Sequence, residues 1–193
     1  MEIVSQDMPL FLAPGFDWFR KVIHSTKIHV CSHCKFDEDP RYNRLLFAGP
    51  HGKQQFSIPL IGETKKGKLS DVMISYSENW HNQLINALRT AYGKSPFYEY
   101  YDYKLEPIIK SKEPYLAQFN LAVIRFLIDA FKIKASLIET DSEPIELNHE
   151  QESENYYQVF ADRNGFYPNL SALDYLFNEG WDKDWSDNNL SNL

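Results

Sequence analysis

A chain of 193 residues with 43% apolar and 15% aromatic side chains is long enough to bury one sizeable core, which argues for a folded, aromatic-rich interior. A formal net charge of −7 argues against nucleic acid or an anionic membrane as partner, and no apolar run approaches the roughly 20 residues of a bilayer span. The N-terminus has an acid at its second position and no basic region, which argues against a signal peptide and makes a cytoplasmic location the default expectation.

In "APGFDWFRKVIHS", Trp18, Phe19, Val22 and Ile23 share one helical face and predict a short first helix. "KIHVCSH" alternates as a strand does. "RLLFAGPHGKQQFSIPL" predicts a hairpin, with Gly49-Pro50-His51-Gly52 as the turn. A lysine-bearing polar loop runs from Ile61 to Lys68, and "KLSDVMIS" predicts another strand. "ENWHNQLINALRTAYG" then places Trp80, Leu84, Leu88 and Ala91 on one helical stripe. Ser95-Pro96 reads as the capped start of a further helix, which Pro107 should break or kink. Residues Pro114 to Ile133 form the most apolar helical stretch, and "ASLIE" a late strand.

Six acids without Lys or Arg between Asp141 and Glu154 predict a solvated loop. The segment "YYQVFADRNGFYPNLSALDYLFNEG" follows, with an aromatic entry, a turn, a helix cap and a glycine stop. This order of elements predicts a single α+β domain over residues 1–180, followed by a polar tail over 181–193. The expected core is an antiparallel sheet from the N-terminal half, packed against helices from the middle and C-terminal parts.

Several groups could carry chemistry. Cys31-Ser-His-Cys34, with His29 and His33, has one half of a zinc-site pattern. The second pair of ligands is missing, since His24, His51 and His149 show no paired spacing. Ordinary cysteines outweigh metal or redox use here, and no metal or cofactor is expected. Arg44 offers a planar fork for phosphate or carboxylate, which the adjacent Asn43 could orient. The competing reading is a surface arginine at a strand edge. His81, in the first turn of its helix, could act as a base near neutral pH or simply face solvent. Asn169 and Ser171 both suit a helix cap, and Ser171 with Asp174 has capping-box spacing. Gln158 is a polar residue within an aromatic strand, and its amide needs partners if it is buried.

"NALRTAYGKSPFYEYY", "FNLAVIRFLI", "YNRLLFAGPHGKQQFSIPL" and above all the closing segment resemble the WbqC-like protein family from about Pro9 to Gly180. The resemblance implies a bacterial protein of surface-polysaccharide (O-antigen) or amino-sugar metabolism, with N-(amino)acyl transfer to a nucleotide-linked amino sugar as the reaction. It carries over Asn43, Arg44, Trp80, Tyr92 and Asn169 as substrate contacts, with Trp80 and Tyr92 stacking on a sugar. Gln158 and Ser171 become oxyanion donors, and His81 or Asp174 the proton acceptor. Two departures weaken the catalytic reading. A His-Trp pair of the family pattern is replaced by Leu84 and Ile85, and Asp37-Glu-Asp-Pro40 stands before the Asn-Arg pair. If that histidine is the family's base, this chain lacks it, and His81 lies on another helical face. The alternative is a non-catalytic ligand-binding or assembly protein of the same pathway.

The catalytic reading carries a geometric requirement. The amide, hydroxyl and carboxylate of the closing segment must meet the Arg44 guanidinium across one cavity.

Overall fold

The structure, a computed structural model, describes residues 4–36, 39–147 and 155–181. Strand β1 (Ser5–Met8) leads into helix α1 (Phe16–Val22) and strand β2 (Lys27–Cys31). α1 forms because its aromatic face has somewhere to go: Trp18, Phe19 and Val22 are fully buried, and the Trp18 indole N–H donates to the Pro9 carbonyl at 2.8 Å. The crossover leaves β1 and β2 parallel, with Ser5 opposite Lys27. β2 then pairs in parallel with the late strand β5 (Ser136–Thr140), so the sheet order is β1-β2-β5.

Strands β3 (Arg44–Gly49) and β4 (Gly52–Ser57) make the expected antiparallel hairpin, with Gly49 opposite Gly52. Gly52 takes φ +102°, where a side chain would be strained and would also meet the Tyr167 hydroxyl. The protein is thus α+β, but its antiparallel pairing is confined to the hairpin and the three-stranded sheet is parallel. β1 has no counterpart among the predicted elements. "KLSDVMIS" is not a strand: Leu69–Asp71 is a 3-10 turn, and residues 73 and 74 make only isolated bridges to Tyr115 and Leu60.

Helices α2 (Trp80–Tyr92), α3 (Tyr98–Lys110) and α4 (Leu116–Ala130) supply most of the core. α4 is apolar nearly all round and is the buried central helix, as its composition predicts. Ser95 does not cap α3: Phe97 occupies that position, and the Ser95 hydroxyl donates to Asn178 Oδ1 at 2.9 Å. Pro107 is accommodated inside α3, which runs on to Lys110.

The closing segment contains the short α5 (Ala161–Asn164) and α6 (Ala172–Asn178). Ser171 caps α6 as expected, its Oγ accepting from the Leu173 N–H at 3.2 Å. Gly180, at φ +73°, ends it against the Phe97 ring. Every residue of α6 is buried, so this segment completes the core and does not fray. No helix among the described residues is long and apolar enough to cross a membrane. The expected polar tail beyond Trp181, and residues 148–154 of the acidic stretch, lie outside the described residues.

Candidate functional site

A cleft of about 90 Å³ opens where three segments meet: the loop Phe11–Gly15 with Asp17, the turn bearing Arg41 and Arg44, and Asn169–Ser171 ahead of α6. Backbone bonds clamp it. Ser171 N–H donates to the Leu46 carbonyl of β3, and Ala172 N–H to the Pro14 carbonyl, both at 3.0 Å. From the core side, Asn120 of α4 is fully buried and its amide donates to the Leu10 and Tyr42 carbonyls at 3.0 and 2.8 Å. One side chain thus positions two of the walls.

The two arginines differ in state. Arg41 is engaged: its guanidinium makes a fork to Asp39, reaches the Leu147 carbonyl at 3.4 Å, and lies 4.2 Å over the Phe11 ring. Its hydrogen bond to Asp39 holds it above the usual arginine range. Arg44 is exposed, lines the same cleft, and takes no carboxylate partner among the described residues. The backbone here takes positive φ on both sides of the cleft. Ala13 has φ +41°, which an alanine adopts only where its surroundings enforce it, and Asn169 has φ +58°, a left-handed conformation that asparagine tolerates better than most residues.

Ser171 is nearly buried, and its hydroxyl accepts one backbone bond, so its own proton can still be donated into the cleft. Asp17, in the first turn of α1, adds a carboxylate.

A second polar cluster lies in the core. The Asp174 carboxylate, 0% exposed, accepts from the Tyr92 hydroxyl at 2.5 Å, the Tyr156 hydroxyl at 2.6 Å, the Gln158 amide at 3.1 Å and the Ala48 N–H at 3.4 Å. No cation pairs with it among the described residues. Burial pushes its carboxyl above the usual carboxylate range, against the pull of those hydrogen bonds. Burial likewise raises both phenols. Gln158 uses the rest of its amide on the Tyr167 carbonyl and N–H, at 2.9 and 3.0 Å, which satisfies the requirement set by its burial.

The sequence candidates therefore separate into three groups. Arg44, Asn169 and Ser171 share the cleft. Tyr92, Gln158 and Asp174 belong to the core cluster and do not line it. Asn43, Trp80 and His81 lie apart from both. Asn43 ends the turn ahead of β3 and donates its side-chain amide to the Ile58 carbonyl at 2.8 Å. Trp80 is 1% exposed and packs edge-on against Phe119. His81 leans on Trp80 and Tyr76, with a buried Nδ1 that finds no partner among the described residues.

Sequence reasoning missed Asp17, Arg41 and Asn120. The run Asp39-Pro40-Arg41 did hold a signal, because an acid two residues before an arginine across a proline favours a side-chain-closed turn. For Asn120, an amide within an apolar helix was the visible clue. Among the described residues no three His, Cys, Asp or Glu side chains group to hold a metal, and Cys31 and Cys34, read as ordinary cysteines, are joined in a disulfide.

Comparison with curated proteins and with solved structures returns no match. The model of the WbqC-like protein family matches residues 9–155, which takes in the Phe11–Asp17 and Arg41–Arg44 walls of the cleft and stops short of the Asn169–Ser171 wall. That span is most of the chain, and the protein belongs to the WbqC-like protein family.

Proposed function

We propose that the cleft binds an anionic small molecule and that Arg44 receives its phosphate or carboxylate. The observation that carries this reading is the state of Arg44: an exposed residue without a carboxylate partner among the described residues, lining the same cleft as Asn169 and Ser171. A volume of about 90 Å³ suits one charged group and not a whole nucleotide sugar, so most of a large ligand would lie outside the recess. The family resemblance makes that ligand a nucleotide-linked amino sugar of bacterial surface-polysaccharide synthesis, handled in the cytoplasm, with N-(amino)acyl transfer to its amine as the reaction. In that reaction Asp17 is the carboxylate at hand to take the amine proton and Ser171 the donor to the developing oxyanion. His81 and Asp174, outside the cleft, would have no direct part.

The test is calorimetric titration with nucleotide sugars. Arg44→Ala should weaken binding by about 10- to 100-fold, the worth of one charge-assisted contact. An unchanged affinity would end the proposal. A second reading, binding without turnover, is favoured by Leu84 and Ile85, which stand in the core where the family pattern has a His-Trp pair. Any ligand that raises the melting temperature should then be assayed for acyl transfer, and turnover would exclude the second reading.

A further inference from the structure

We propose that Cys31 and Cys34 form a reversible thiol–disulfide couple that exchanges with low-molecular-weight thiols, with Cys34 as the sulfur that meets them. The pair lies at the end of β2, the central strand of the parallel sheet. Its Cα atoms are 5.6 Å apart, within the range that admits either state without moving the backbone. The two sulfurs are unequal. Cys31 is 2% exposed, whereas Cys34 is half-buried and open to small molecules.

Three observations favour exchange over a structural cross-link. The bridge spans only two intervening residues, and a ring that small removes little freedom from the unfolded chain compared with a long loop. The loop does not need the bridge to hold its shape. The Cys34 and Ser32 carbonyls accept from Leu69 and Ser70 N–H at 2.9 and 2.8 Å, and Phe36 N–H donates to the Gly67 carbonyl at 3.1 Å. Reduction even offers a new contact. Cys34 Sγ lies 3.5 Å from the Ser142 carbonyl oxygen, to which only a thiol can donate. In a cytoplasm, where disulfides are transient and commonly act in redox chemistry, such a couple would alternate between states.

The thiolate of a small thiol attacks Cys34 Sγ, the S–S bond breaks, and Cys31 leaves as a thiolate that takes a proton from water. A second thiolate attacks the outer sulfur of the mixed disulfide and releases the Cys34 thiolate, which takes a proton from water and can then donate to the Ser142 carbonyl. Two small thiols are oxidised to one disulfide, and the protein disulfide is reduced to two thiols.

The test uses glutathione and the full chain. The wild-type protein is equilibrated over a series of reduced-to-oxidised glutathione ratios, quenched in acid, alkylated and weighed. The expected result is a two-electron passage between no blocked thiols and two, with an unchanged circular dichroism spectrum. A cross-link that persists at every ratio, one that never forms, or a fold lost on reduction would overturn the proposal. Cys31→Ser and Cys34→Ser are then exposed to oxidised glutathione. The adduct should form on Cys34 of the first on the order of tenfold faster than on Cys31 of the second, following exposure. The reverse preference would also overturn the assignment. None of these readings depends on the ligand of the cleft.

Discussion

The Tyr92 hydroxyl lies 2.5 Å from the Asp174 carboxylate, joining α2 to α6 across 82 positions of sequence. Asp174 also accepts from the Ala48 N–H of β3, so one buried carboxylate fastens the closing segment to both the hairpin and the helical layer. Removing it leaves four donors without an acceptor in the core. Asp174→Ala should lower the unfolding free energy by about 3–5 kcal/mol, and Tyr92→Phe by about 1–2 kcal/mol. Urea denaturation of the two variants checks both figures.

The raised carboxyl of Asp174 gives a pH dependence of definite sign. Below the unfolded value of 3.8 both states hold the proton. Above it the unfolded chain releases the proton first, so stability falls as pH rises towards the native value and levels off beyond it. Asp174→Asn, which cannot titrate, should lack that slope. Denaturation curves of both proteins at several pH values above 3.8 would reveal the difference, and parallel curves would contradict it.

Arg41 and Arg44 should respond oppositely to truncation. Arg41 holds Asp39, Phe11 and the Leu147 carbonyl together, so Arg41→Ala should cost about 1–2 kcal/mol of stability. Arg44 is exposed and holds no carboxylate, so Arg44→Ala should shift stability by no more than about 0.5 kcal/mol. Thermal melts of the two variants side by side settle it.

Asn169 permits a separation of fold from function. At φ +58° asparagine and glycine are both tolerated, so Asn169→Gly should change stability by no more than about 0.5 kcal/mol. If its amide contacts the ligand, affinity should drop in the same variant. A loss of both stability and affinity would mark Asn169 as a structural residue only.

Local signals were legible before the fold was. The Gly49–Gly52 turn, the Ser171 cap, the apolar α4 and the Gly180 stop are each set by a few neighbouring residues, and each forms where the sequence puts it. The partners of Asp174 were not legible. Capping-box spacing links it to Ser171, but its carboxylate is taken by Tyr92 of α2 and by Tyr156 at the far end of its own segment. The parallel sheet was missed for the same reason, since β1 and β2 meet across α1 and β2 meets β5 across the whole helical layer. Of the cleft, Arg44, Asn169 and Ser171 were named as candidates. Their neighbours Asp17 and Arg41 were not, because nothing local ties those positions to the closing segment.

The β2–β5 pairing has a consequence for biosynthesis. Lys27 waits for Ser136, which the ribosome adds roughly a hundred residues later. At about 5–20 residues per second, β2 spends on the order of 5–20 s with one edge open. The hairpin and its turn can close meanwhile, because both strands emerge together. Nascent chains stalled before β5 should therefore be cut by protease near β2 while the hairpin resists, and chains stalled well beyond α6 should resist at both.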